Sequence, residues 1–283
     1  MRTSLLLVTA MTLTAQAPLS LGRMTVCPLV DGTLSLEASL LKGIPLAEAV
    51  RLLDGRTAAT TPVKAYLVRL AGKVILVDTG MGKDPEENSG HLTEGLAAAG
   101  VTPAQVDLVL ITHFHFDHVG GLLRPDGARA FPRAKLCVAR AEHDLWTAKE
   151  GLPERLWDRI PKVRAIFAAY GSDVVLTKDG DTVAEGVTAL AAPGHTAGHT
   201  VYAFRSEGRE LWCIGDLIHF GPVQFPRPET GIAFDLEGER AIRTRQAFFR
   251  KAAAANVVLA GAHLPHLVRI VEEGAGFRTV NAD

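Results

Sequence analysis

Thr112-His113-Phe114-His115-Phe116-Asp117-His118-Val119-Gly120-Gly121 gathers three histidines and an aspartate within six residues, directly after the apolar run 106–111. His113 and His115 stand two apart where a strand ends, and in extended chain alternate residues point to the same face. They can therefore reach one metal ion together. Asp117 and His118 follow as the chain turns, and Gly120-Gly121 permits a tight exit. That turn lets Asp117 and His118 face a second ion beside the first. A lone histidine is usually a packing residue. Packing gives no reason to gather these residue types here, and histidine is the commonest metal ligand.

Outward from this stretch, short apolar strands alternate with helices. Residues 24–29 read as a strand followed by a turn at Asp31-Gly32. Residues 36–53, with Gly43 and Pro45, read as a loop and a short helix. Residues 63–70 and 74–77 read as a hairpin joined at Ala71-Gly72-Lys73. Its second arm runs into the glycine-rich loop Asp78-Thr79-Gly80-Met81-Gly82. A helix over 92–99 is stopped by Gly100. Further strands are predicted at 135–139, 174–176, 187–192, 200–204, 211–214 and 256–260, the last leading to His263. Further helices are predicted at 141–149, 156–170 and 238–255. The interleaving predicts an α/β chain with two mixed β-sheets packed face to face and helices outside. No stretch looks like an interdomain linker, so residues 21–283 are read as a single domain.

Composition removes several function classes. The 283 residues carry 30 Lys and Arg against 31 Asp and Glu, with 47% hydrophobic and 22% charged residues. That balance is ordinary for a soluble globular enzyme. A nucleic-acid binder shows a basic excess or stripe, so no nucleic-acid partner is expected. Cys27, Cys137 and Cys213 are odd in number and widely spaced, which suggests no disulfide framework or zinc ribbon. Buried free thiols are expected. Arg2, the apolar residues 5–17 and Ala15-Gln16-Ala17 have the form of a signal peptide and its cleavage site. Residues 1–20 are read as that segment, and the protein as exported, periplasmic or secreted. The apolar run is too short for a spanning helix, so no stable membrane insertion is expected.

His113-Phe114-His115-Phe116-Asp117-His118 resembles the His-x-His-x-Asp-His hallmark of the metallo-beta-lactamase superfamily. Four supporting motifs stand in the family's order: Val77-Asp78-Thr79-Gly80, Ala192-Pro193-Gly194-His195-Thr196-Ala197-Gly198-His199, Ile214-Gly215-Asp216 and Gly261-Ala262-His263. The resemblance implies an αββα sandwich with metal ions at one edge between the sheets. It implies two divalent ions per chain, one held by His113, His115 and His195, the other by Asp117, His118 and His263, with Asp216 bridging both. Oxygen and imidazole ligands without thiolate suit Zn2+, and also Mn, Fe or Co. His199 is expected to support the ligands rather than bind, and Asp78 to hold the ligand loop by hydrogen bonds.

Position 216 is aspartate where true beta-lactamases of this superfamily carry cysteine or serine, so beta-lactam hydrolysis is a minor reading. Gly215-Asp216-Leu217-Ile218-His219, Val223-Gln224-Phe225-Pro226 and Ala260-Gly261-Ala262-His263-Leu264-Pro265 resemble the branch containing methyl parathion hydrolase and related exported lactonases. The implied activity is attack by a hydroxide shared between the metals on a lactone or ester-like bond of a small molecule. Phosphotriester hydrolysis is the alternative. A phosphodiesterase or ribonuclease and a mononuclear-iron sulfur-oxidising enzyme stand behind it. Asp117, Asp216 and His219 are the catalytic candidates, Asp216 as a proton carrier to the leaving group. His219 occupies an offset at which acyl-homoserine-lactone lactonases of the superfamily carry a substrate-contacting tyrosine. It either returns to the pocket wall or packs under the Gly221-Pro222 turn. A homodimer is compatible with this reading, which fixes no oligomeric state.

Overall fold

The structure is a computed structural model that describes residues 17–83, 88–148 and 152–282. In chain order it contains β1 (Leu19–Leu21), β2 (Met24–Glu37), β3 (Leu41–Lys42), α1 (Leu46–Leu52), β4 (Ala58–Leu70), β5 (Lys73–Val77), α2 (Leu92–Ala98), β6 (Leu108–Leu110), α3 (Phe116–Val119), β7 (Lys135–Ala139), α4 (Arg140–Ala148), α5 (Ile160–Tyr170) and β8 (Val174–Thr177). Then follow β9 (Thr182–Ala184), β10 (Val187–Ala191), β11 (Thr200–Ser206), β12 (Arg209–Gly215), α6 (Gly221–Gln224), β13 (Gly231–Ile232), α7 (Gly238–Ala254), β14 (Val258–Gly261), β15 (Val268–Glu273) and β16 (Gly276–Asn281). One sheet has the order β1-β2-β4-β5-β6-β7-β8, the other β16-β15-β14-β12-β11-β10-β9, and β3 pairs with β13 in a small third sheet.

Side-chain alternation builds the layers. Tyr66, Val68, Ile75, Val77 and Leu110 of the first sheet pack against Tyr202, Phe204, Leu211 and Cys213 of the second. The neighbours one residue away face outward: Leu67 and Leu76 pack with Leu96 of α2 and Ile166 of α5, while Trp212 and Ile214 pack with Phe249 of α7. Burying both faces of each sheet in this way gives the αββα sandwich. All three cysteines are buried, and Cys137 and Cys213 are free thiols as expected. Among the described residues no helix is long and apolar enough to cross a membrane.

Two sequence expectations need correction, and one element lay outside them. Asp31-Gly32 is not a turn. Strand β2 continues to Glu37, and its register against β4 shifts between Val30 and Gly32. This bulge lets the buried Asp31 carboxylate accept the N–H groups of Met81 (2.8 Å) and Leu92 (3.0 Å). The predicted helix over 156–170 is divided into a 3-10 helix (Glu154–Arg159) and α5. Pro161, having no N–H to offer, stands in the first turn of α5 instead of inside a longer helix. The β15–β16 hairpin was not anticipated; Phe277 joins it to the rest by donating its N–H to Phe225 O at 2.9 Å. The expected signal segment falls largely on residues 1–16, outside the described residues, whereas Leu19 and Ser20 already pair with Val26 and Thr25 of β2.

Candidate dinuclear metal centre

Strand direction brings the site together. β5 and β6 run parallel, as do β12 and β14, and β10 shares their direction through antiparallel β11. The loops that leave β5, β6, β10, β12 and β14 therefore meet at one edge of the sandwich. Asp78, directly after β5, has a φ of 59°. Its Oδ1 accepts the Thr112 N–H and its Oδ2 the Thr112 hydroxyl, both at 2.8 Å. This fastens the start of the histidine stretch. Gly120 and Gly121 have a different purpose from the tight exit expected of them. Neither has a positive φ, and a Cβ on either would overlap the carbonyl of Met81 or Thr79 in the loop alongside.

Two groups of side chains converge. The ligand atoms of His113, His115, His195 and Asp216 lie within 4.8 Å of one another, and so do those of Asp117, His118, Asp216 and His263. Asp216 belongs to both groups. Its Oδ2 lies 3.6 Å from His113 Nε2 and 3.3 Å from His195 Nε2, and its Oδ1 lies 3.1 Å from His118 Nε2 and 3.3 Å from His263 Nε2. Asp117 Oδ2 closes the second group at 3.6 Å from His118 and 3.4 Å from His263.

The far nitrogens of the rings are held from behind. His118 Nδ1 meets Asp78 Oδ2 at 2.8 Å, His195 Nδ1 meets Asp235 Oδ1 at 2.9 Å, and His263 Nδ1 meets Pro62 O at 3.0 Å. An acceptor at Nδ1 keeps the ring proton there and turns the Nε2 lone pair into the cluster. His115 instead presents Nδ1, which faces His195 Nε2 at 2.9 Å. His113 Nε2, His118 Nε2 and Asp216 Oδ1 are buried without a hydrogen-bond partner. Leaving buried acceptors unmatched is costly, and a divalent cation among imidazole and carboxylate ligands satisfies all of them. The residues present fit two such ions.

The protonation pattern agrees. Burial pulls the His195 and His263 rings down, but the carboxylates outweigh it: Asp216 and Asp235 raise His195 to about 9, and Asp216 and Asp117 raise His263 to about 10. Burial pushes the Asp216 carboxyl up, yet the surrounding histidines hold it well below the usual carboxylate range. Burial, with neighbouring imidazoles, holds His113 and His115 well below the usual histidine range, so their lone pairs are free for an ion, while protons on His195 and His263 would be exchanged for one.

The remaining sequence candidates fall as follows. His199 stays behind the cluster, where its Nε2 accepts the Asp216 N–H at 3.0 Å. His219 faces the cluster and is not packed away under the Gly221-Pro222 turn. Its Nε2 lies 3.0 Å from Asp216 Oδ2, and its ring stacks on His263 with centroids 5.0 Å apart. Gln224 Oε1 fixes it there by accepting the N–H groups of His219 and Phe220.

Sequence reasoning missed Asp235, Gln224 and Glu142. Glu142 is 1% exposed. It accepts four hydrogen bonds, from Phe114 N, Trp146 Nε1, Thr196 Oγ1 and Gly198 N. One buried carboxylate thus ties the 113–118 loop to the 195–199 loop. Asp235 and Glu142 sit in no motif, and Gln224 lies in the 223–226 stretch without a role being assigned to it there. The one cue was a glutamate on the apolar side of α4, four residues before Trp146.

A family model described as the metallo-beta-lactamase superfamily matches residues 59–263. A protein of Mycobacterium tuberculosis named a probable metallo-hydrolase is 27% identical over 182 residues, 54% of this chain and 56% of the relative. The chain thus spans little more than half of that relative's length. The structure of AidC, a dizinc quorum-quenching lactonase in complex with a homoserine product, superposes with a TM-score of 0.86 at 27% identity, covering 94% of this chain and 97% of AidC. The hydrolase AbOPH superposes with a TM-score of 0.89 at 28% identity, covering 95% and 98%. Ligand groups, sheet order and family model agree: the chain belongs to the metallo-beta-lactamase superfamily.

Proposed function

We propose that this protein is a hydrolase with two zinc ions that opens a lactone or cleaves an ester of a small molecule. The observation that carries the proposal is the sharing of Asp216 between two ligand groups whose inward atoms are buried and unmatched. The similarity to AidC, a dizinc lactonase by its name, supports the metal and the bond type. His113, His115 and His195 would hold one ion, Asp117, His118 and His263 the other, and Asp216 both.

Such a pair supplies Lewis acidity and a water that loses its proton near neutral pH. The chain's own residues do the rest. Asp216 Oδ2, 3.0 Å from His219 Nε2, makes a short path for a proton between the cluster and the pocket wall. His219 can deliver that proton to the oxygen of the departing alcohol, the general-acid role that a poor leaving group needs. Asp78, Asp235 and the Pro62 carbonyl hold the rings in place, so no reorganisation is required as charge develops.

The test is elemental analysis of purified protein beside a hydrolysis panel of lactones, aryl esters and phosphotriesters. Two ions per chain and turnover highest on lactones or esters are expected. One ion with full turnover, or turnover confined to phosphotriesters, would overturn the proposal.

A further inference from the structure

The side chains of the cluster are almost fully buried. His113, His118, His195, Asp216, His219 and His263 are each at most 3% exposed. Within the ligand stretch, the partly exposed residues are the consecutive His115, Phe116 and Asp117, with the Asp117 side chain 18% exposed. This strip is the part of the ligand stretch that touches solvent.

Two cations stand over its middle. Lys162 Nζ lies 4.5 Å and the Arg159 guanidinium carbon 5.2 Å from the centroid of the Phe116 ring. Both come from the segment around the start of α5, where residues 154–164 carry four cationic side chains and two carboxylates. Among the described residues Arg159 pairs only with the exposed neighbouring Asp158, at 3.7 Å. No ion pair joins Lys162 to a carboxylate of the described residues. Burial lowers the Lys162 pKa, and the nearby Arg159 lowers it further. A half-buried ammonium beside a guanidinium, on an aromatic face, gains most from an incoming anion, which relieves both the desolvation and the repulsion.

We infer that Arg159 and Lys162 recognise an anionic group of the substrate, so that the ester or lactone cleaved here carries a carboxylate or phosphate away from the scissile bond. This rests on the hydrolytic reading above and names the substrate class for the same site. The Phe116 ring provides the flat wall, and the cations fix which end of the substrate stays at the rim.

The experiment compares two activated esters of similar length, mono-4-nitrophenyl glutarate and 4-nitrophenyl pentanoate, on metal-loaded protein. Wild type should favour the glutarate ester in kcat/KM, and added salt should shrink the advantage. In Arg159→Gln/Lys162→Met the ratio of the two should fall about tenfold, and in the exposed single variant Arg159→Gln by less. A ratio unchanged in both variants, or a wild-type preference for the neutral ester, overturns the inference. Cleavage of neither ester counts against the hydrolytic reading instead. The rim is then judged by calorimetric binding of glutarate, where equal affinity in wild type and the double variant overturns it and a tenfold weaker variant supports it.

Discussion

Asp235 Oδ1 lies 2.9 Å from His195 Nδ1, and its other oxygen lies 3.6 Å from the guanidinium of Arg245. All three side chains are nearly inaccessible. A carboxylate outside every motif thus aims a ring of the cluster while neutralising a buried arginine. Replacing Asp235 by Ala should weaken metal binding about 10–100-fold, measured by competition with a chromogenic chelator. Affinity equal to wild type would show that His195 holds its orientation without Asp235.

Glu142 should matter as much to folding as to the site. In Glu142→Gln the amide nitrogen replaces an acceptor that met two donors, leaving those donors unmatched at a cost of about 1–3 kcal/mol each. Denaturant unfolding of the metal-free protein is expected to show a large loss of stability. A midpoint within error of wild type would contradict the bridging role.

His219→Ala should depend on the leaving group. Esters and lactones with poor leaving groups should lose roughly 10²–10⁴-fold, and p-nitrophenyl esters much less, with metal content unchanged. Equal loss on both would assign His219 to positioning alone.

Lys64 offers a test of stability against pH. Burial lowers its ammonium pKa from 10.5 to about 8, and Nζ donates to Pro265 O at 2.7 Å. Below about 8 both folded and unfolded chains carry the proton, and the folded state bears the full desolvation cost. Between about 8 and 10.5 the unfolded chain binds more protons, so this residue's contribution to stability rises with pH. Lys64→Met should therefore be more stable than wild type near pH 7, by up to about 3 kcal/mol, and the gap should close toward pH 10. Thermal unfolding at several pH values measures it, and a gap that does not change with pH would refute the assignment.

Much of the architecture was legible because it depends on local periodicity. The alternation in β4 and β12 and the apolar run before His113 announce sheets buried on both faces. That the candidate ligand side chains would gather was legible because metal chemistry restricts residue type and a strand end restricts spacing. What escaped depends on contacts between residues far apart in the chain. Asp31-Gly32 has the composition of a turn, and only the distant Met81 and Leu92 N–H groups make it a bulge. Glu142 and Asp235 look like ordinary surface carboxylates until the 195–199 loop folds against them.

Three of the four hydrogen bonds of Glu142 join the two candidate ligand loops by protein contacts alone. A chelating cage shaped in advance of its ion has little left to adjust when one arrives. Discrimination among Zn, Mn, Fe and Co then rests on how well each ion's preferred geometry fits the fixed ligands and on supply. The occupant should follow the cell's metal pools at the time of loading, and it should be exchangeable afterwards without unfolding the chain.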